Sequence, residues 1–138
     1  MDYVLGVDAG NTKTIALVAR RDGTILGTGR AGCGDIYGAE SQHAALEAIA
    51  TAVHRALAAA ELPASALAAG GFSCAGADWP EDYALLQDVF AEQGWGRQIQ
   101  VVNDGLGALR AGSPDGTGVA VVCGTGAATA ARSADGQV

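Results

Sequence analysis

Residues 3–32 alternate between apolar runs and short polar turns. The runs YVLGVDAG, KTIALVAR and TILGTGRAG each predict a buried strand. The Asp22-Gly23 pair between the second and third runs is typical of a hairpin turn. The chain therefore opens with three strands that follow one another in antiparallel order.

Two longer segments place apolar residues three and four positions apart, which predicts amphipathic helices. The first helix covers GAESQHAALEAIATAVHRALAAAEL, and its predicted buried face consists of Leu46, Ile49, Ala50, Val53, Leu57 and Ala60. The second helix covers PEDYALLQDVFAEQGWG, and its predicted face consists of Leu86, Val89, Phe90 and Gln93. Pro63 follows the first helix and a glycine ends the second, as expected of helix C-termini.

Two further apolar runs, ALAAGGFSCAG and QIQVVNDG, alternate with these helices, and a short glycine-containing helix, GLGALRAG, follows the second run. The resulting order, β-β-β-α-β-α-β-α, is typical of the α/β class. Strands separated by a helix pair in parallel. We therefore expect a mixed five-stranded sheet in which the first three strands form an antiparallel edge.

The pattern changes after residue 113. We expect a lobe over 1–113, a linker over 114–117 and a separate hairpin over 118–138. The segment VAVVCGTGAATAARSADGQV repeats the opening design of strand, small polar turn, strand and Asp-Gly. Two strands alone do not make a stable domain, so the sequence predicts the opening hairpin of a truncated second lobe. The free edge of that hairpin is a candidate surface for a homodimer.

Charge and composition narrow the range of partners. A net charge of −7 predicts repulsion of nucleic acids and of anionic membrane surfaces. The N-terminus lacks the features of a signal peptide and no apolar run reaches transmembrane length, so we expect a cytoplasmic protein. The cysteines, Cys33, Cys74 and Cys123, show no metal-binding or disulfide spacing. We expect reduced thiols that pack as small hydrophobic side chains.

The turn GVDAGNTKT, residues 6–14, combines one carboxylate, two hydroxyls and the only lysine of the chain. Backbone N–H groups in a glycine turn, threonine hydroxyls and the Lys13 ammonium are suited to binding phosphate. Asp8 would repel phosphate, but it fits if a divalent metal lies between them. The turn is therefore either a phosphate-and-magnesium loop or an ordinary hairpin turn with a solvated lysine.

Two later segments carry candidate chemistry. CGTG, residues 123–126, lies at the matching strand-to-strand turn of the repeat and is either a second phosphate loop or a plain tight turn. Asp104 follows a parallel strand, at the edge where ligands bind in open α/β sheets. It can act as a general base on a substrate hydroxyl, or cap the helix that follows, or do both.

Two segments match nucleotide-binding motifs, but the secondary structure predicted around them does not fit nucleotide binding. NTKT resembles the end of a Walker A loop, but the preceding glycine pattern is absent and a strand follows. GTGRAG, residues 27–32, matches G-x-G-x-x-G, but it ends an antiparallel strand several residues before the next helix. We predict neither a P-loop nor a dinucleotide-binding turn.

The loops CGDIYG and CAGADWPED leave strand ends at what should be the same edge of the sheet. Asp35, Tyr37, Asp78 and Trp79 could contact a polyhydroxy ligand there. The alternative is that Asp78 only starts the next helix and that Trp79 covers its end.

In this order, GVDAGNTKT, CAGADWPED, VVNDG and VVCGTG resemble the motifs of the actin-like ATPase and sugar-kinase superfamily. The nearest branch is the N-acetylglucosamine kinase group with its BadF/BadG/BcrA/BcrD ATPase relatives. The resemblance implies a ribonuclease H-like lobe that uses ATP and Mg²⁺, with Asp8 positioning the metal and Asp104 as the general base. The implied phosphate loops are Gly10, Asn11, Thr12, Lys13 and Thr14, and Gly124, Thr125 and Gly126.

The chain departs from that pattern where such kinases contact the sugar. Ala127 and Ala128 stand where Ser-Asn is frequent, Ala75 stands where a serine can touch the sugar, and Asp35 lies in the early loop where asparagine is frequent. Asp35, Tyr37, Ala75 and Asp78 are thus weaker candidates for substrate binding. The resemblance places the adenine site in a C-terminal lobe, so we expect an N-terminal fragment that is inactive alone.

Three functions fit these observations. The first is ATP-dependent phosphoryl transfer to a sugar or amino-sugar hydroxyl. The second is an ATPase whose hydrolysis drives a partner protein. The third is a non-enzymatic assembly module that retains the lobe. The resemblance favours the kinase, and the presence of Asp8 and Asp104 counts against the third function.

Overall fold

The computed structural model describes residues 2–124 and 126–138. The strands are β1 (Tyr3–Ala9), β2 (Thr14–Arg20), β3 (Ile25–Ala31), β4 (Leu67–Cys74), β5 (Gln98–Asn103), β6 (Gly118–Cys123) and β7 (Ala127–Arg132). The helices are α1 (Gln42–Ala60), α2 (Pro80–Glu92) and α3 (Asp104–Gly112), and a 3₁₀ turn (Ala64–Ala66) precedes β4. The element order is the one that the sequence predicts.

The first five strands form one mixed sheet in the order β3-β2-β1-β4-β5. The β1–β2 and β2–β3 pairs are antiparallel, whereas β1–β4 and β4–β5 are parallel. This confirms the predicted five-stranded sheet with an antiparallel edge. Ala9 pairs with Cys74, which in turn pairs with Asn103, so the carboxyl ends of the three parallel strands meet at one edge.

Helix α1 lies directly on β3, and small residues allow the close contact. A Cβ added to Gly27 or Gly29 would overlap the backbone carbonyl oxygen of Ala56 or Ala52. The first two glycines of the G-x-G-x-x-G match therefore serve helix-to-sheet packing, a role that requires no dinucleotide-binding turn.

The buried face of α1 differs in part from the predicted one. It consists of Ala45, Ile49, Ala52, Val53, Ala56 and Leu57. Leu46, Ala50 and Ala60 are only half-buried. The side chain of Ser41 caps the start of the helix by accepting a hydrogen bond of 3.0 Å from the Ala44 N–H.

Helix α2 covers the β4–β5 side of the same sheet face. Phe72 of β4 stacks on Phe90 of α2 with ring centroids 4.1 Å apart, and Trp95 completes this cluster at 2% exposure. Leu86 is buried as predicted, but Gln93 is exposed, because α2 ends before it.

Helix α3 packs against β4 and contacts the separate two-stranded sheet of β6 and β7. Gly107 approaches the Ser73 side chain so closely that a Cβ would overlap it. The outer residues Val119 and Val121 of β6 are largely exposed. In the described part of the chain, no helix combines the length and apolar character needed to cross a bilayer.

Candidate functional site

The carboxyl ends of β1, β4 and β5 and the β6–β7 turn surround a cleft of about 680 Å³. The cleft brings together most of the site residues that the sequence predicts. They are Asp8, Gly10, Asn11, Thr12, Lys13, Asp35, Ala75, Asp78, Asp104, Gly124 and Gly126. Residues from widely separated segments thus share one opening, as expected from the meeting of three strand ends at one edge.

Three backbone hydrogen bonds hold the β1–β2 turn in place. The Gly10 N–H donates to the Lys13 carbonyl at 2.9 Å, which closes the turn. The Gly10 carbonyl accepts a hydrogen bond of 2.9 Å from the Gly34 N–H, and the Ala9 carbonyl accepts one of 2.9 Å from the Ala75 N–H. A Cβ on Gly10 would lie 2.9 Å from the Lys13 oxygen, so glycine suits this position.

Thr14 and Tyr37, two predicted site residues, lie outside the cleft. Thr14 is completely buried in β2, and its hydroxyl donates to the Gly32 carbonyl at 2.9 Å. That hydroxyl serves the fold, so the prediction that it binds phosphate is not supported. Tyr37 is 64% exposed, and its hydroxyl donates to Asp82. Thr125 was also predicted to bind phosphate and lies outside the described residues.

Asp8 is the last residue but one of β1, and its side chain is exposed in the cleft. Its pKa is raised above the ordinary value, first because the cleft walls remove water and then because of the negative charge of Asp104. The Lys13 ammonium acts in the opposite direction. Two carboxylates and one ammonium are therefore electrostatically coupled at the mouth of the β1–β2 turn.

Asp104 is the first residue of α3, and the cap lies one residue earlier. The Asn103 side-chain oxygen accepts a hydrogen bond of 2.9 Å from the Gly105 N–H, so Asn103 is the N-cap. Asp104 contacts the same N–H at 3.0 Å and benefits from the positive end of the helix dipole. Helix α3 thus holds Asp104 at the cleft, and Asn103 caps the start of the helix.

Asp78 is held from two directions. Its backbone N–H donates to Asp82 at 3.2 Å, and its carboxylate accepts a hydrogen bond of 2.9 Å from the Asn103 amide. Loss of hydration, followed by the charges of Asp82, Asp104 and Asp35, raises its pKa. Asp35 is 9% exposed and accepts a hydrogen bond of 2.9 Å from the Tyr37 N–H. The side of the cleft formed by the loops after β3 and β4 therefore carries hydrogen-bonded carboxylates.

Among the described lining residues, the carboxylates of Asp8, Asp35, Asp78 and Asp104 face one cation, Lys13. In the same part of the chain, no group of three or more His, Cys, Asp or Glu residues could hold a metal by itself. Mg²⁺ is usually held by one or two carboxylates together with waters and substrate phosphates. A cleft of negative charge with single carboxylates suits that mode of binding.

The sequence interpretation did not assign a role to Asn103, Asp82 or Tyr83. Asn103 and Tyr83 line the cleft, and Asp82 is buried just behind it. An asparagine before a helix and an acidic residue in the third position of a helix are both capping signals, so the first two could have been identified. The sequence contains no comparable signal for Tyr83.

The fold matches solved kinase structures. A candidate N-acetylglucosamine kinase from Chromobacterium violaceum superposes with a TM-score of 0.76 at 24% identity over 99% of this chain and 47% of its own. A candidate N-acetylglucosamine kinase from Porphyromonas gingivalis gives 0.72 at 28% identity over 91% and 43%. A ROK family glucokinase from Streptomyces griseus, in complex with glucose and AMPPNP, gives 0.64 at 24% over 92% and 43%.

These similarities confirm the actin-like ATPase and sugar-kinase fold. The chain spans less than half the length of each of these three proteins. A search of curated proteins gives no match. The family model of the BadF/BadG/BcrA/BcrD ATPases matches residues 5–138, so the chain belongs to the BadF/BadG/BcrA/BcrD ATPase family.

Proposed function

We propose that this cleft takes part in Mg²⁺- and ATP-dependent phosphoryl transfer to a hydroxyl of a sugar or amino sugar. The observation that carries the proposal is the convergence of Asp8, Lys13 and Asp104 on one cleft between two glycine turns. Family membership supports the use of ATP. Similarity to the Porphyromonas gingivalis protein, named as a candidate N-acetylglucosamine kinase, supports the class of acceptor.

The β1–β2 turn would bind the nucleotide phosphates. Gly10 allows close approach to the backbone, and the Lys13 ammonium supplies a positive charge opposite the phosphates. Gly124 and Gly126 border the cleft from the β6–β7 turn and would hold the phosphates from the other side. Such positioning and neutralisation of charge account for most of the catalysis in phosphoryl transfer.

Asp8 is the residue that would hold Mg²⁺, through its carboxylate and intervening water. When bound, the metal supplies neutralisation of the negative charge on the phosphates. The fit rests on the carboxylate being accessible in the cleft. Loss of hydration, followed by the negative charge of Asp104, raises the pKa of Asp8, and a divalent cation would relieve that second, electrostatic part. Asp8 would thereby fix the position of that metal relative to the end of β1.

Asp104 would act as the general base. A carboxylate at the N-terminus of α3 is fixed by the helix and can accept the proton of a substrate hydroxyl as the oxygen attacks the γ-phosphorus. The bond from the γ-phosphorus to the β–γ bridging oxygen breaks, and ADP leaves with that oxygen. Asp78, on the neighbouring loop, would accept a hydrogen bond from another hydroxyl of the same substrate. In this proposal the acceptor would lie between the carboxylates, and the phosphates would lie between the two glycine turns.

A second function is favoured by one specific feature. Ala75, Ala127 and Ala128 line the cleft and offer no side-chain hydrogen bonds to a sugar. An ATPase that drives a partner protein would need the phosphate site without the sugar contacts. Because the chain spans less than half of the kinases that it matches, the remaining substrate and adenine contacts would come from elsewhere. We accordingly propose that this chain turns over little ATP alone.

The test is coupled ADP release across a panel of sugars and amino sugars, for this chain and for any longer natural protein that contains it. The kinase proposal predicts ADP release that requires one acceptor and that falls about 10²–10⁴-fold in Asp104→Asn, which is the usual contribution of general-base catalysis. Asp88→Asn, an exposed residue of α2, is the matched control and should leave the rate unchanged. ADP release at equal rates with and without acceptors would contradict the kinase and support the partner-driving ATPase.

A further inference from the structure

The Asn103 side chain connects three segments at the edge of the cleft. Its amide nitrogen lies 3.1 Å from the Ala77 carbonyl and 2.9 Å from the Asp78 carboxylate. Its oxygen accepts a hydrogen bond of 2.9 Å from the Gly105 N–H at the start of α3. One side chain therefore joins the end of β5, the loop after β4 and the helix that carries Asp104.

The partners determine the orientation of this amide. Both groups near the nitrogen are acceptors, and the group near the oxygen is a donor. Exchanging the oxygen and the nitrogen would place acceptor against acceptor at Ala77 and Asp78 and donor against donor at Gly105. Asparagine satisfies all three contacts at once. Aspartate at this position keeps the helix cap and has no donor, and serine keeps the cap but has a shorter side chain and one O–H donor in place of the two amide N–H donors.

Asp78 is restrained at its other end as well. Asp82, 4% exposed, accepts hydrogen bonds from the N–H groups of Asp78 and Trp79 at 3.2 and 2.9 Å. The Asp78 backbone is thus fixed by Asp82, and the Asp78 carboxylate is fixed by Asn103. The side-chain conformation of Asp78 therefore depends on the hydrogen bond from the Asn103 amide.

We propose that Asn103 is a positioning residue that sets the Asp78 carboxylate relative to Asp104, so that both meet the acceptor in a fixed geometry. The structural link stands on the hydrogen bonds above, and its consequence for turnover rests on the proposed function. A hydrogen bond to a charged group is among the stronger polar interactions in proteins, so its loss should release the Asp78 side chain.

The test uses two variants and one matched control. Asn103→Ser and Asn103→Asp both keep an oxygen to cap α3 and both lose the amide donor. Gln87→Glu is the control, because it makes the same amide-to-carboxylate change at a hydrogen bond of 2.8 Å to the Ile99 carbonyl, away from the cleft. The first readout is the titration of the Asp78 carboxyl by ¹³C NMR in the 138-residue chain, which requires no activity.

The charged groups that act on Asp78 are Asp82, Asp104 and Asp35, and Asn103 supplies the opposing hydrogen bond. Both Asn103 variants should therefore raise the measured pKa of Asp78 further, Asn103→Asp the more, and Gln87→Glu should not change it. The second readout is the acceptor kinetics of the active form. We expect kcat/KM for the acceptor to fall about tenfold or more, with KM for ATP unchanged.

Unchanged Asp78 titration in both variants would overturn the proposed link. Shifted titration with unchanged acceptor kinetics would overturn the role of Asn103 in turnover. If the wild type transfers no phosphate to any acceptor, the proposed function fails, and the NMR titration still decides whether Asn103 positions Asp78. The two failures are therefore distinguishable.

Discussion

The Tyr37 hydroxyl donates a hydrogen bond of 2.6 Å to the Asp82 carboxylate. This contact joins the loop after β3 to the first turn of α2, across 45 residues of sequence. Asp82 also accepts the Asp78 and Trp79 N–H groups. The buried Asp82 carboxylate therefore holds together the loops after β3 and β4 at the cleft.

Tyr37→Phe should destabilise the chain in a pH-dependent way. The Tyr37 hydrogen bond is the largest cause that lowers the pKa of Asp82 below its ordinary value. A carboxyl with a lowered folded-state pKa stabilises the fold above its unfolded pKa of about 3.9, and this contribution is lost as the pH falls through the folded-state pKa. We expect Tm to fall by a few degrees at pH 7.

Calorimetry at pH 7 and pH 3 checks this expectation, with Tyr3→Phe on β1 as the matched control. The difference in Tm between wild type and Tyr37→Phe should be smaller at pH 3 than at pH 7. An equal loss at both pH values would show that the hydroxyl stabilises the fold without the Asp82 charge.

Gly29→Ala should destabilise the contact between α1 and β3. The added Cβ would meet the backbone carbonyl of Ala52, which cannot move aside as a flexible side chain can. Overpacking of this kind costs about 1–3 kcal/mol. Gly6→Ala in β1 is the control, because no atom lies within 4 Å of the added Cβ. Urea unfolding of both variants measures the difference, and equal stability would show that α1 does not lie as close to β3 as described.

Asp8→Asn should stabilise the chain at neutral pH while removing the proposed magnesium ligand. Asp8 has a raised pKa, so its contribution to stability is present below its unfolded pKa of about 3.9 and is lost as the pH rises through the folded-state pKa. At pH 7 the ionised side chain is unfavourable in the cleft, and the neutral amide relieves this.

We expect Tm of Asp8→Asn to rise by up to a few degrees at pH 7, with Asp88→Asn unchanged. Mg²⁺-dependent nucleotide binding, measured by calorimetry, should be lost in the same variant. A lower Tm would contradict the electrostatic description of the cleft.

Cys74 should be chemically inert in the folded chain. It is 1% exposed, and burial, together with the charges of Asp8 and Asp104, raises its pKa to about 12. The exposed Cys123 should react with a thiol reagent at pH 8, whereas Cys74 should react only after unfolding. Mass spectrometry of labelled peptides measures this, with Cys74→Ala as the control. Rapid labelling of Cys74 under native conditions would show that β4 opens locally.

The order of elements and the sheet could be predicted because apolar periodicity and turn residues mark them. The face of α1 was predicted less well. Periodicity favours large residues such as Leu46, but β3 presents Gly27 and Gly29, and the helix therefore buries Ala52 and Ala56 against it. Contacts between small residues depend on the partner surface, which one segment of sequence does not reveal.

Prediction of the candidate site from the sequence was limited in the same way. The position of Asp104 after a parallel strand predicted that it lies at the ligand-binding edge of the sheet, and the resemblance to sugar kinases implied that Asp8 shares its site. The fold brings both into one cleft, because β4 lies between β1 and β5 and the carboxyl ends of the three strands meet. Two features could not be predicted in this way: the Thr14 hydroxyl is buried, and Asn103 rather than Asp104 is the N-cap of α3. Both depend on individual side-chain hydrogen bonds, which the order of elements does not determine. Residue types indicated candidate chemistry, but only the fold could assign each polar atom to a hydrogen-bond partner.

The most direct test of the account is detection of the phosphorylated product. ³¹P NMR would follow ATP and the acceptor chosen by the ADP assay, with wild type, Asp104→Asn and Asp88→Asn compared in the form of the protein that turns over ATP. The account predicts a new phosphomonoester resonance for wild type and Asp88→Asn, and none on the same timescale for Asp104→Asn. ADP and inorganic phosphate without a phosphomonoester, or a full yield of product from Asp104→Asn, would contradict it.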